Sequence, residues 1–192
     1  MNVLEEAILF ATEAHEGQVR KMAGTPYILH PLEVAAIIAT LTDDVNTMAA
    51  GVLHDTVEDC GADPRELRRR FGPRVAALVQ AETEDRTSDR PAEETWKERK
   101  EESLLALEHT PDRDVRILWL ADKLSNMRSF WREWRKRGDE MWQHLHQKDP
   151  AMQGWYYKSI ARYLKEFDGT AAYAEYVSLV KQVFGEGDQD EI

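Results

Sequence analysis

The sequence predicts an all-α fold: one multi-helix bundle domain over residues 1–184, followed by a short acidic tail at 185–192, expected to be flexible. Three observations lead there. Apolar residues recur at intervals of three or four, as in Leu4, Ile8 and Ala11 or Leu118, Ala121 and Leu124, the spacing of one face of a helix. Helix start and stop residues sit between these runs: Asn2, Asp63-Pro64, Gly72-Pro73, Gly138 and Gly169. No stretch alternates apolar and polar residues with the period of two that a half-buried strand requires.

Asn2 is a good cap for a first helix running to about His15, with Leu4, Ile8, Ala11 and Ala14 on its inner side. Gly17, Gly24 and Pro26 mark residues 16–26 as a loop. Pro31 suits a helix start, because its missing N–H has no partner to lose there; that helix is expected over Leu32–Leu41. Thr42-Asp43-Asp44 makes a turn, and a central helix is expected to continue to about Asp59. Asp63, Pro64 and Glu66 then form a cap, first position and third position of a short helix anchored by Leu67 and Phe71 and stopped by Gly72-Pro73. A helix from Arg74 to about Thr83 precedes a polar loop, residues 84–92, that reads as a candidate lid. Residues 93–108 form a strongly charged helix. The longest helix is expected over residues 114–137, with Val115, Leu118, Ala121, Leu124 and Met127 on one stripe. Helices at 140–146, 150–167 and 171–184 complete a set of nine or ten.

The chain has 192 residues, enough to bury one well-formed core. No apolar run approaches the ~20 residues that span a bilayer, so no membrane partner is expected. The start, Met1-Asn-Val-Leu-Glu-Glu, is acidic where a signal peptide is basic. One cysteine, Cys60, permits no internal disulfide and fits a reducing cytoplasm. A net charge of −11 argues against general nucleic-acid binding, which wants a broad basic face. A polyanionic ligand would have to be met by a local cluster, for which Arg20, Lys21, Lys97, Arg99, Lys100 and Lys123 are the candidates.

The chemistry concentrates in His54-Asp55-Thr56-Val57-Glu58-Asp59. On a continuous helix, His54 shares a face with Glu58, and Asp55 with Asp59. Three carboxylates that close repel one another unless solvent or a cation intervenes. His30, at a helix start, and Asp122, flanked by apolar residues and expensive to bury unpaired, add to the set. His30, His54, Asp55 and Asp122 make a mixed nitrogen–oxygen donor group suited to Mn²⁺, Fe²⁺, Co²⁺ or Zn²⁺. Asn126 falls four residues after Asp122, on the same face, where it can orient a ligand or hold substrate.

Four strings, in order, carry a resemblance: His15-x-Gly17-Gln18-x-Arg20-Lys21, Gly24-x-Pro26-Tyr27-Ile28-x-His30-Pro31, His54-Asp55-x-x-Glu58-Asp59, and Leu120-Ala-Asp122-Lys123-Leu124-x-Asn126-Met127-Arg128. The pattern resembles the HD superfamily of metal-dependent phosphohydrolases. Within it, the strings look like the hydrolase domain of the RelA/SpoT alarmone enzymes and the stand-alone small alarmone hydrolases, over roughly residues 5–130. Thr83-x-Asp85-x-Thr87 and Glu98-Arg99-Lys100 resemble the small hydrolases again. The resemblance implies an HD-type phosphohydrolase domain over residues 1–184, one metal, usually Mn²⁺, held by His30, His54, Asp55 and Asp122, and Glu58 and Asp59 as the catalytic pair. It implies removal of the 3′-pyrophosphate from guanosine tetra- or pentaphosphate (ppGpp, pppGpp), the reaction of the stringent response, with Arg20 and Lys21 at the substrate.

Other roles are assigned from residue type. Lys97, Arg99 and Lys100 either face the substrate phosphates or lace an exposed helix through pairs such as Glu93–Lys97. Gly154-Trp155-Tyr156-Tyr157 offers Tyr156 to a nucleobase, against the ordinary role of aromatics in a core. Nothing in the strings reads a base edge, so an adenosine alarmone, NADPH or a nucleoside monophosphate stays open as substrate, as does service as antidote to an alarmone-making toxin. A non-catalytic helical binding module is the reading from a different class; all four metal-ligand candidates being present argues against it. The sequence says nothing about oligomeric state.

Overall fold

The computed structural model describes residues 1–84 and 90–185. The tail expected to be flexible lies, from residue 186 on, outside the described residues, as does the part of the candidate lid at residues 85–89. The fold is all-α: α1 (Val3–Ala14), α2 (Leu29–Ile38), α3 (Val45–Leu53), α4 (Thr56–Cys60), α5 (Pro64–Glu82), α6 (Ala92–His109), α7 (Arg113–Arg137), α8 (Pro150–Tyr163) and α9 (Ala171–Phe184), with 3₁₀ turns at Gly138–His144 and Lys165–Phe167. Among the described residues the only extended pairing is an isolated bridge between Val19 and Pro26.

The helix ends follow local chemistry. Asn2 accepts from the Glu5 amide, and Glu5 reaches back to the Asn2 amide, closing a capping box. Asp44, Asp63, Asp112, Asp149 and Thr170 each accept from a backbone amide in the first turn of the helix that follows. Gly72, at φ +86°, breaks α5 into two arms where the sequence shows Gly-Pro.

Three expectations are corrected. α2 starts at Leu29, a turn earlier than Leu32, so that His30 and Pro31 lie inside its first turn, where amides have no helical acceptors to miss. The central helix is not continuous: α3 stops at Leu53 and α4 starts at Thr56, with the Thr56 hydroxyl donating to the Leu53 carbonyl at 2.7 Å across the break. The expected helix at 140–146 is a 3₁₀ segment ending at His144.

α7 is the axis of the molecule, touching α2, α3, α5 and α9. Ile117, Leu118, Leu120, Ala121, Leu124 and Met127 on it are fully buried, each large side chain contributing about 1.5–3 kcal/mol of hydrophobic stabilisation. α2 and α3 approach closely because Gly51 has no side chain; a Cβ there would meet Ile38 Cδ1 at 2.4 Å. This contact sets the two histidine-bearing segments side by side against α7.

Candidate metal centre and its cavity

His30 comes from the first turn of α2, His54 and Asp55 from the break between α3 and α4, and Asp122 from the middle of α7. Ligand atoms of His30, His54 and Asp122 all lie within 4.8 Å of one another, and all three residues are buried. Asp122 Oδ1 is 3.0 Å from His30 Nε2 and 3.5 Å from His54 Nε2. Asp55 Oδ2 closes the group, 3.0 Å from His54 Nε2 and 3.6 Å from His30 Nε2. From the break between α3 and α4, Asp55 faces both imidazoles.

Hydrogen bonds fix which ring nitrogens face inward. His54 Nδ1 donates to the Gly51 carbonyl at 2.8 Å. Ser125 Oγ donates its one proton to Glu33 Oε2 at 2.6 Å, so it accepts from His30 Nδ1 at 2.8 Å. Both Nε2 atoms are thereby aimed at the same point, where a bound cation would take the place of the ring proton. His54 Nε2 is buried and makes no well-aligned hydrogen bond among the described residues, with only the carboxylates of Asp55 and Asp122 facing it. Burial pushes His30 below the usual histidine range, against the pull of Asp122. Burial works the same way on His54, but Asp55 and Asp122 outweigh it and hold that imidazole well above its ordinary value. Burial likewise opposes the charge on both acids, yet the His54 cation holds Asp55 low, and Lys123 together with the two histidines holds Asp122 low. The pocket thus favours positive charge at the point where four donors meet. Two inward-facing imidazole nitrogens and two ionised carboxylates fit a divalent ion of intermediate hardness.

Around this group the remaining residues divide. Tyr27 Oη donates to Asp55 Oδ2 at 2.6 Å and also faces Asp59 Oδ2 at 3.1 Å. Glu58 Oε2 accepts from the Glu84 amide at 3.1 Å. Asn126 bridges, donating to Asp122 Oδ1 at 2.9 Å and accepting from Arg20 Nη2 at 2.8 Å. Lys123 pairs with both Asp122 and Glu82; burial pushes the Glu82 carboxyl up to about 7.

A cavity of about 810 Å³ adjoins the centre, lined among others by Arg20, Lys21, Asp59, Arg99, Lys100 and Tyr156. Lys21 Nζ donates to His146 Nε2 at 2.7 Å. Tyr156 is 3% exposed, with Lys100 Nζ 4.9 Å from its ring centre and a buried hydroxyl that has no partner among the described residues. Lys97 is placed outside the cavity: its side chain is 61% exposed and pairs with Glu101 at 3.7 Å. Lys97 thus lies on the exposed side of α6, while Arg99 and Lys100 line the cavity. Sequence reasoning assigned no role to Glu33, Glu84, Ser125 or His146. Tyr27 stood in the motif text with no role of its own, although a tyrosine three residues before a candidate ligand is the available signal.

The model of the HD domain family matches residues 7–150, a stretch that contains every donor of the centre. The chain belongs to the HD domain family. Curated relatives of this HD domain chain include a guanosine-3′,5′-bis(diphosphate) 3′-pyrophosphohydrolase of Aquifex aeolicus, 40% identical over 128 residues, and the bifunctional (p)ppGpp synthase/hydrolase SpoT of Escherichia coli, 38% identical over 127 residues. These alignments take in 67% and 66% of the chain, but the chain spans only 18% of the length of either relative. Among solved structures, a metazoan ortholog of SpoT described as hydrolyzing ppGpp superposes with a TM-score of 0.75 at 24% identity, over 97% of this chain and 98% of that one. A Listeria monocytogenes protein gives a TM-score of 0.71 at 29% identity, over 82% and 99%. The superposition on the metazoan ortholog covers 97% of the chain and so reaches past residue 150, where the family model ends.

Proposed function

We propose that this chain is a metal-dependent hydrolase that removes the 3′-pyrophosphate of guanosine tetra- or pentaphosphate, giving GDP or GTP and pyrophosphate, with Mn²⁺ as its ion. The observation that carries this reading is the placement of the His30–His54–Asp55–Asp122 donor group beside a cavity whose wall holds Arg20, Lys21, Arg99 and Lys100. The names of the curated relatives support the substrate. When bound, a divalent ion supplies a water of lowered pKa and offsets charge at the phosphorus.

The chain's own residues do the rest. Arg20 and Lys21 bind the polyphosphate and fix the reacting phosphorus, converting an encounter into an oriented complex. Asp59, on the cavity wall, and Glu58, held by the Glu84 amide, take the proton of the attacking water. Such a role contributes roughly 10²–10⁴-fold to the rate. Water attacks the phosphorus ester-linked to the 3′-oxygen, that P–O bond breaks, and the 3′-oxygen regains a proton. Tyr156 and its neighbour Trp96, edge-on at 6.0 Å, offer an aromatic wall to the base. The free Cys60 thiol suits a reducing cytoplasm, and a net charge of −11 suits a small polyanion met locally over nucleic acid.

The test is product analysis by ion-exchange chromatography with metal-loaded protein and guanosine tetraphosphate. GDP and pyrophosphate should appear together in one step. Orthophosphate as first product, or inert guanosine tetraphosphate beside brisk turnover of NADPH, an adenosine alarmone or a nucleoside monophosphate, would refute the substrate and bond assigned here.

A further inference from the structure

Glu84 directly follows Thr83, the C-terminal cap of α5, and its side chain is only 10% exposed. Its carboxylate is gripped by two cations from α6: Arg99 Nη1 donates to Oε2 at 2.7 Å, and Lys100 Nζ donates to Oε1. All three residues line the cavity. Burial opposes charge on Glu84, but Lys100, Lys123 and Arg99 overcome it and hold the carboxyl below its ordinary range, so it is ionised. The same residue's amide is the donor to Glu58 Oε2 at 3.1 Å. One residue therefore touches both the inward-facing cation pair and an acid of the His-Asp motif.

A carboxylate bridging a guanidinium and an ammonium makes the contacts a phosphate makes: two anionic oxygens on planar and tetrahedral donors. It stands on the wall of a cavity where, on the reading above, a polyphosphate has to sit. We propose that Glu84 is an internal stand-in for the substrate's phosphate, occupying Arg99 and Lys100 until an entering pyrophosphoryl group displaces it. The proposal rests on that reading of the cavity. Two consequences follow. The pair avoids unpaired cations in a half-buried wall when no ligand is present. Affinity for the polyanion is then the difference between two ion-pair sets, not the full strength of one. Because displacement moves the residue whose amide anchors Glu58, arrival of the phosphate also bears on the proton-handling acid.

A purely structural Glu84, one that pre-orients Arg99 and Lys100 for the ligand, predicts the opposite sign: loss of its charge should weaken anion binding. The experiment is calorimetric titration of Mn²⁺-loaded protein with inorganic pyrophosphate at neutral pH, comparing wild type with Glu84→Gln, Arg99→Ala and Lys100→Ala. Glu84→Gln should bind about tenfold tighter, the scale of one charge-assisted hydrogen bond no longer competed for, and the two cation variants weaker. A parallel melting series covers a less stable variant: Glu84→Gln should melt lower alone yet gain more from pyrophosphate than wild type does. Unchanged or weaker binding by Glu84→Gln, with the cation variants weakened, overturns the stand-in while leaving the polyphosphate cavity intact. Pyrophosphate binding indifferent to all three substitutions removes the phosphate role of this wall, and the proposal with it.

Discussion

Substituting Ser125 by alanine should loosen metal binding without touching a ligand. Ser125 is 2% exposed and sits between the buried His30 imidazole and Glu33, with contacts of 2.8 and 2.6 Å. Glu33 keeps a partner when the hydroxyl goes, because Arg128 Nη1 donates to its other oxygen at 3.0 Å. His30 does not: its Nδ1–H is left in the interior with nothing to accept it. An unsatisfied buried donor costs about 1–3 kcal/mol, and loss of a partner behind a ligating histidine typically costs about 10–100-fold in metal affinity, or about 1.4–2.8 kcal/mol. The two ranges agree, so a loss inside the second is expected. Stripped protein would be titrated with Mn²⁺ against a fluorescent chelator, alongside Glu33→Gln, which keeps an acceptor for the hydroxyl and should lose less. An Mn²⁺ affinity for Ser125→Ala within about twofold of wild type would refute the idea that this relay sets the orientation of His30.

Two further predictions concern proton handling and stability. Glu58→Gln should retain the metal and lose at least roughly a hundredfold in kcat, measured by metal analysis and steady-state turnover; release of the metal would make Glu58 a ligand. Asp44 caps α3, accepting from the Thr47 amide at 3.0 Å and the Thr47 hydroxyl at 2.7 Å. Burial works against its charge, but these bonds prevail and hold its carboxyl below the ordinary value of 3.8. Its folded value is depressed, so the cap contributes fully above the unfolded value and fades as pH falls through the folded one. Asp44→Ala should cost about 0.5–2 kcal/mol at neutral pH. In urea unfolding, the gap to wild type should shrink on going to about pH 3, below the ordinary carboxyl value; an unchanged gap would mean that the charge is not what caps the helix.

What the sequence displays are features decided by neighbours along the chain. Asn2, Asp63-Pro64 and Gly72-Pro73 act within one turn, and the structure uses each as its chemistry suggests. The interruption at His54-Asp55 hid because every residue from Met48 to Asp59 tolerates a helix; the Thr56 hydroxyl bonds back to the Leu53 carbonyl across it. The motif strings name His30, His54 and Asp122, and the fold brings them together. The partners behind His30, Glu33 and Ser125, are separated by a long stretch of chain, and no periodicity reports such a pairing. Lys97 and Lys100 show the same limit on one helix. At 100° per residue, a charged run presents cations all round, and only packing decides that Lys97 meets solvent while Lys100 meets Tyr156.

That distribution bears on how an acidic chain, at −11, accepts a polyanion at all. The cations of the cavity wall are held by two kinds of partner. Arg20 donates to the Asn126 carbonyl oxygen and Lys21 to a ring nitrogen of His146. Both partners are neutral when they accept, so these two keep their full charge toward the cavity. Arg99 and Lys100 share the Glu84 carboxylate, and Lys123 is locked between Asp122 and Glu82. On the proposed function, an approaching polyphosphate would be drawn first by Arg20 and Lys21, over the short range that salt leaves unscreened. On the stand-in proposal, it would gain Arg99 and Lys100 by exchange with Glu84. Lys123, also on the cavity wall, is paired with Asp122 and so supports that residue's charge. Arg20, joined to Asp122 through Asn126, is the point where hold on the phosphate and hold on the metal meet, since the Asn126 amide that accepts from one donates to the other.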